Sequence, residues 1–282
     1  MSDLIADIAR QLEAGSVIPY LGSGMLSLCD GVTVPATPAA LAAVMTAKVS
    51  VPHKIRTKLT QAAQFIENFK HRKSVVMIMD EAFAPVPTPS PLHRALAASG
   101  ATLWVDTWYD DTMLAAMKAV RPQGGWHQLQ GLSQSEHFGQ WTADYDAEGH
   151  IADTPATAAS PLLYRPIGGR SPASNYLVSD SDYVEVLTEI DIQTPIPAVV
   201  QERRKGKGFL FLGCRFDDQL TRSFARQIMK RSNDEHWAVL PEEPTRMEAR
   251  FLEEQGITRI PMTLTAFGQS LTDALQAELA AP

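Results

Sequence analysis

Val-Ile-Pro-Tyr-Leu-Gly-Ser-Gly-Met-Leu-Ser, residues 17–27, decides how the rest of the chain is read. A short apolar run enters Gly22-Ser23-Gly24, and a polar segment follows. This is the pattern of a buried strand ending in a glycine turn, where the missing Cβ lets backbone N–H groups approach a phosphate. The same residues also suit a plain strand-to-loop turn. The dinucleotide fingerprint G-x-G-x-x-G fails, because Ser27 stands where the third glycine belongs. After Asp30 the next acid is Glu67, so the ribose-binding carboxylate is missing too. Hydride transfer on a standard dinucleotide fold is set aside.

Working outward, strands and helices alternate. Apolar residues at helical spacing (Leu4, Ile5, Ile8, Ala9, Leu12) precede the first strand, and helices are expected over 38–49, 58–70, 75–83 and 92–98. Thr-Leu-Trp-Val-Asp-Thr, 102–107, is the second clear strand, and Trp108-Tyr109-Asp110-Asp111 sits at its C-terminal end. Helix 112–120 follows. Residues 121–160 read as an irregular insertion, a small module over the sheet edge. Beyond it come strand 161–167, helix 181–187 and the strongly apolar strand Gly-Phe-Leu-Phe-Leu, 208–212, which ends in Gly213-Cys214-Arg215. Helix 219–230, strand 236–240, helix 245–255, strand 257–262 and helix 270–280 complete the chain. The alternation predicts one α/β domain over 1–282 with a doubly wound, mostly parallel sheet. Ligands of such sheets collect at the C-terminal strand ends.

Composition narrows the function classes. The 282 residues are 45% hydrophobic and 20% charged, with a formal net charge of −7, so the overall field disfavours nucleic acid. The basic run Arg203-Arg204-Lys205-Gly206-Lys207 reads first as a solvated turn. Cys29 and Cys214 form no C-x-x-C pair, which excludes a four-cysteine zinc site, and no metal is expected. No apolar run approaches the roughly 20 residues of a membrane span, and the N-terminus lacks a signal-peptide apolar region. A soluble, cytoplasmic protein is expected.

Seven segments in order resemble the prokaryotic sirtuin-like domains that bind or consume NAD. Leu21-Gly22-Ser23-Gly24-Met25 is similar to their G-A-G-x-S phosphate loop, and Ala62-Ala63-Gln64-Phe65-Ile66 to the helix after it. Leu92-His93 through Asp111 resembles "LH..L…TTNYD", and Leu163-Tyr164-Arg165-Pro166-Ile167-Gly168 falls where the family carries "Y-x-x-H-G". The segment 177–187 resembles "L-x-L-T-x-x-D-Y", 210–218 resembles "FLGYSLDD" and 236–241 resembles "HYAVLP". The resemblance implies a Rossmann-type sirtuin fold and a nucleotide ligand, NAD or ADP-ribose. It places that ligand against Gly22, Ser23, Gly24, Met25, Trp108, Asp110, Ile167, Gly213 and Arg215.

The resemblance also implies a loss. The family's Asn aligns with Trp108 and its general-base His with Ile167. Indole offers one donor and no acceptor, and a sec-butyl group moves no proton. Arg215 replaces a Ser and Leu26 replaces another. The expectation is a pseudoenzyme without catalytic residues, acting as a sensor or partner-binding subunit, with a separate protein or a second copy as partner. Two alternatives remain open. One is an active NAD hydrolase or ADP-ribosyl-transferring enzyme with relocated groups drawn from His93, His127, His137, His150, Asp106 or Asp110. The other is a scaffold that binds no nucleotide.

Overall fold

The computed structural model describes residues 1–157, 159–189 and 195–280. Ten strands occur among them: β1 Val17–Leu21, β2 Leu103–Asp106, β3 His127–Gly131, β4 Thr142–Tyr145, β5 Leu162–Arg165, β6 Gly168–Gly169, β7 Asn175–Tyr176, β8 Gly208–Leu212, β9 His236–Val239 and β10 Ile257–Ile260. Eight form one sheet in the order β10-β9-β8-β1-β2-β5-β3-β4, and β6 and β7 form a separate hairpin. Every pairing in the large sheet is parallel except β3 with β4. The α/β, mostly parallel architecture expected from the alternation is the one observed.

Both faces of the sheet are covered, so the central strands have no polar side. All five residues of β1 and of β8 are buried. Successive side chains still separate, because strand side chains alternate faces. Ile18, Tyr20, Val105, Phe209 and Phe211 join one core. Val17, Leu21, Trp104, Leu210 and Leu212 join the other. Helices Ser2–Glu13, Pro91–Ala98, Thr112–Val120 and Leu264–Ala280 pack on the second face. Helices Pro38–Lys48, Leu59–Lys70, Arg72–Ala82, Gln219–Met229 and Arg246–Glu254 pack on the first.

Within the stretch expected to be irregular, β3 and β4 extend the sheet edge instead. β3 pairs parallel to β5 from His127↔Leu162 to Gln130↔Arg165. Its sequence, His-Gln-Leu-Gln-Gly, lacks the apolar alternation of a strand. The reason is a polar layer behind it. Gln128 and Gln130 are buried, and their side-chain amides donate to the Ser171 carbonyl at 2.8 and 2.6 Å. Asn175 donates to Gln130 Oε1 at 2.7 Å. A buried amide with its partners satisfied is tolerated where an unpaired one is not.

Candidate functional site at the C-terminal strand ends

The sheet order puts β8, β1 and β2 side by side, in register at Leu21↔Leu212 and Leu21↔Asp106. Gly22, Thr107 and Gly213 therefore leave the sheet at one edge. The edge is stitched by backbone bonds: Gly22 N–H donates to the Leu212 carbonyl at 2.9 Å, and Thr107 N–H to the Leu21 carbonyl at 2.8 Å.

The glycine turn opens a 3-10 helix, Ser23–Leu28. Its glycines are explained first by the protein itself. Gly24 N–H donates to the Gly213 carbonyl at 2.9 Å, and Met25 N–H to the Gly22 carbonyl at 3.1 Å. A Cβ on Gly22 would lie 2.5 Å from the Gly213 oxygen, and one on Gly24 2.8 Å from the same atom. Gly213 has φ +65°. The amides of Gly22, Gly24 and Met25 are thus spent on neighbouring carbonyls. Among the described residues Ser23 keeps its N–H and hydroxyl without a partner, at the start of the 3-10 turn.

Trp108 and Ile167 are both buried, at 5% and 4% exposure. The indole N–H of Trp108 donates to the Pro35 carbonyl at 2.9 Å. Its ring lies 5.1 Å from Tyr109 and edge-on to Phe83 at 6.1 Å. Tyr109 OH donates to the Leu177 carbonyl at 2.7 Å, and Leu177 N–H donates to the Ile167 carbonyl at 2.9 Å. Leu177 thus ties the segment at Trp108 to the segment at Ile167. The side chains at the two positions are an indole already bonded and an alkyl group. Neither side chain can accept a proton.

Carboxylates lie beside this apolar floor, and all are held. Asp110 accepts from Thr112 N–H at 3.0 Å, a local turn bond just before helix Thr112–Val120, whose N-cap position is Asp111 and carries no side-chain cap bond. Asp111 pairs with Arg165 at 2.8 Å, and Asp106 lies 3.6 Å from the same guanidinium, which is wholly buried. Burial pushes Asp106 up to about 8 against the opposing pull of Arg165. It also raises Asp110. Asp106 and Asp111 share one arginine, which also donates to the Asp110 carbonyl.

The candidate histidines do not gather here. His93 is buried, shares a hydrogen bond of 2.7 Å with the Ser90 hydroxyl through Nδ1, and is lowered to about 4 by desolvation, which keeps it neutral at pH 7. His127 opens β3 at its N-terminal end, the edge opposite the glycine turn, and bonds Asp144 at 2.8 Å. His150 is exposed beside Asp146, and His137 lies in the loop between β3 and β4.

Arg215 has a structural employment that its position in the sequence did not reveal. Its Nε and NH2 hold Glu248 at 2.9 and 3.1 Å, and NH1 holds Glu242 at 2.7 Å. Glu248 is buried, closes a capping box with Thr245, and accepts Phe216 N–H at 3.1 Å. These donors hold its carboxyl at about 2, well below the usual range. A carboxylate with a depressed folded pKa stabilises the fold above its unfolded pKa and loses that contribution as pH falls toward the folded value. Acid unfolding is therefore expected to steepen between about pH 4.5 and 2. Arg215→Ala should cost on the order of 2 kcal/mol at neutral pH and move the acid limb upward, as read from urea midpoints across pH. An unchanged acid limb would exclude Glu248 as its source.

The basic run is likewise committed. Arg203 donates to the carbonyls of Thr102, Thr157 and Ser160. Arg204 donates to those of Gln227 and Ile228. Lys205 pairs with Glu202, and Lys207 reaches the Gly15 carbonyl. No helix among the described residues is long and apolar enough to cross a membrane. No group of three or more His, Cys, Asp or Glu among them is placed to hold a metal.

Comparison with protein families gives a match. The family described as "SIR2-like domain" matches residues 102–260, more than half of the chain. That span runs from β2 to β10 and includes Trp108, Asp110, Ile167, Gly213 and Arg215, while the glycine turn lies before it. No curated protein matches the chain. With the doubly wound sheet and the matched span in agreement, the chain belongs to the SIR2-like domain family.

Proposed function

We propose that this SIR2-like chain is a catalytically degenerate, NAD-related protein that binds ADP-ribose or a similar nucleotide and works as a sensor or partner-binding subunit. One observation carries the loss of catalysis. The two positions aligned with the family's Asn and His hold Trp108 and Ile167, both buried, and the one polar atom between their side chains is bonded to Pro35. Binding of a nucleotide rests on Ser23, whose free amide and hydroxyl start the 3-10 turn. ADP-ribose is favoured over NAD because it lacks the nicotinamide ring that would meet the Trp108 side.

A second reading, a scaffold that binds no nucleotide, also has a specific observation behind it. The amides of Gly22, Gly24 and Met25 and the guanidinium of Arg215 all have protein partners. Calorimetric titration separates the two readings. ADP-ribose should bind the wild type more tightly than NAD, and Ser23→Ala, which removes one hydrogen bond to a charged group, should weaken it by about tenfold. Absence of any heat with ADP-ribose would leave the scaffold reading.

A further inference from the structure

Helices Leu59–Lys70 and Arg72–Ala82 meet at a single residue, His71. Its backbone has φ 65° and ψ 157°. That region is essentially reserved for glycine, because an L side chain there crowds its own backbone. The ring of His71 is exposed, so nothing about it requires histidine there on packing grounds. A backbone state of this kind persists only where the surroundings impose it.

The residue that imposes it is next in the chain. Arg72 is largely buried and gathers four partners from four segments. It bonds Glu67 at 3.4 Å across the joint, Glu136 at 3.0 Å in the loop between β3 and β4, Asp182 at 2.9 Å in helix Asp180–Glu189, and the Tyr176 carbonyl. Two further bonds fasten the same helix pair to the same region. Gln64 accepts Ser181 N–H at 2.7 Å, and Tyr176 OH donates to Asp80 at 2.7 Å. Helix Leu59–Lys70 itself contributes only two alanines and Ile66 to the core as buried residues. Leu59 and Phe65 are only partly buried against that core, and Phe65 stacks on Phe69, which is 67% exposed. A helix with so few fully buried large side chains, fastened through Gln64 and Glu67 by polar bonds and joined by a strained residue, belongs to the low-stability end of a fold.

We infer that helix Leu59–Lys70 is a releasable cover over the segment from Tyr176 to Asp182, latched by Arg72 and sprung by the strained joint at His71. Release frees the segment whose Leu177 carbonyl holds Tyr109 OH, and so loosens the aromatic floor beside Trp108. The cover regulates access to the cleft face whatever occupies it. It depends on no ligand, so the nucleotide reading can fail while the cover stands.

Native-state hydrogen exchange, read by mass spectrometry on the full chain, tests this. In the wild type, amides of helix Leu59–Lys70 and of residues 176–182 should exchange together, well before those of β1 and β8. Glu136→Gln removes one exposed arm of the latch with little risk to folding, and should speed exchange of those peptides about threefold or more. Arg72→Met should do so more strongly. His71→Gly relieves strain that exists only while the cover is closed, and should slow exchange of the same peptides by at least about fivefold. Opposite effects at neighbouring residues, confined to these peptides, are the signature. Exchange of helix Leu59–Lys70 as slow as that of β8, no response to Glu136→Gln and His71→Gly, or a uniform response across all peptides would each overturn the proposal.

Discussion

Incubated overnight with NAD, the purified protein is expected to consume no more than a heat-killed control. General acid–base transfer alone is typically worth about 10²–10⁴-fold, and Ile167 can supply none of it. Trp108 adds a second deficit, because its only polar hydrogen is engaged with Pro35 at 2.9 Å and it has nothing with which to orient a water. The two deficits multiply if the groups served separate steps and overlap if they acted as one unit. The double change Trp108→Asn, Ile167→His places a polar group at each position. It should shift binding preference from ADP-ribose toward NAD, with slow cleavage as the most that these groups would give. Trp108 is a core residue, and truncating a buried tryptophan costs about 3–5 kcal/mol. Circular dichroism must therefore establish that the variant folds before its binding is compared. Robust loss of NAD with the unmodified protein would falsify the degenerate reading and return attention to relocated groups.

Gly213→Ala is expected to be severely damaging. The residue sits at φ +65°, and its Cβ would lie 2.4 Å from the Met25 nitrogen and 2.7 Å from the Gly24 carbonyl carbon. Both are backbone atoms fixed by the bonds of the glycine turn, so no side chain can swing aside. A loss of about 3 kcal/mol or more, or failure to fold, is expected in urea denaturation. Gly206→Ala is the control. It has φ +67° and open space around it, so it should show only the conformational cost of about 1 kcal/mol. A Gly213→Ala protein as stable as that control would show that the backbone contact between the two loops is looser than described. The same geometry makes Gly22→Val a folding variant, since its Cβ would press on the Gly213 oxygen at 2.5 Å. Ser23 is the residue at which binding can be probed without touching that contact.

Much of the fold was legible because its central strands obey simple patterning. Val17–Leu21 and Gly208–Leu212 are unbroken apolar runs, as strands buried on both faces must be, and each ends in glycine. Strands β3 and β4, at the other end of the sheet from β10, were not legible. Gln128 and Gln130 look like surface residues until Ser171 and Asn175, more than forty positions later, arrive to satisfy them. Arg215 misled for a similar reason. An arginine beside a glycine turn suits a phosphate, and only the folded chain brings Glu242 and Glu248 around to claim it. Asp110 reads in sequence as a helix cap; the N-cap is Asp111, and Asp110 makes only the local bond to Thr112 two residues away.

The sequence by itself determined the layered α/β class, the central strands and the absence of a proton-transferring side chain at positions 108 and 167. Those follow from local pattern and from the identity of single residues, which folding does not alter. Only the tertiary structure decided where the hydrogen bonds go. It spent the amides of Gly22 and Gly24 on Leu212 and Gly213, and the guanidinium of Arg215 on two glutamates. It also forced His71 into a glycine conformation beside Arg72. The physical reason is that a donor's availability depends on which acceptors lie within about 3 Å of it, and in this chain those acceptors come from distant segments.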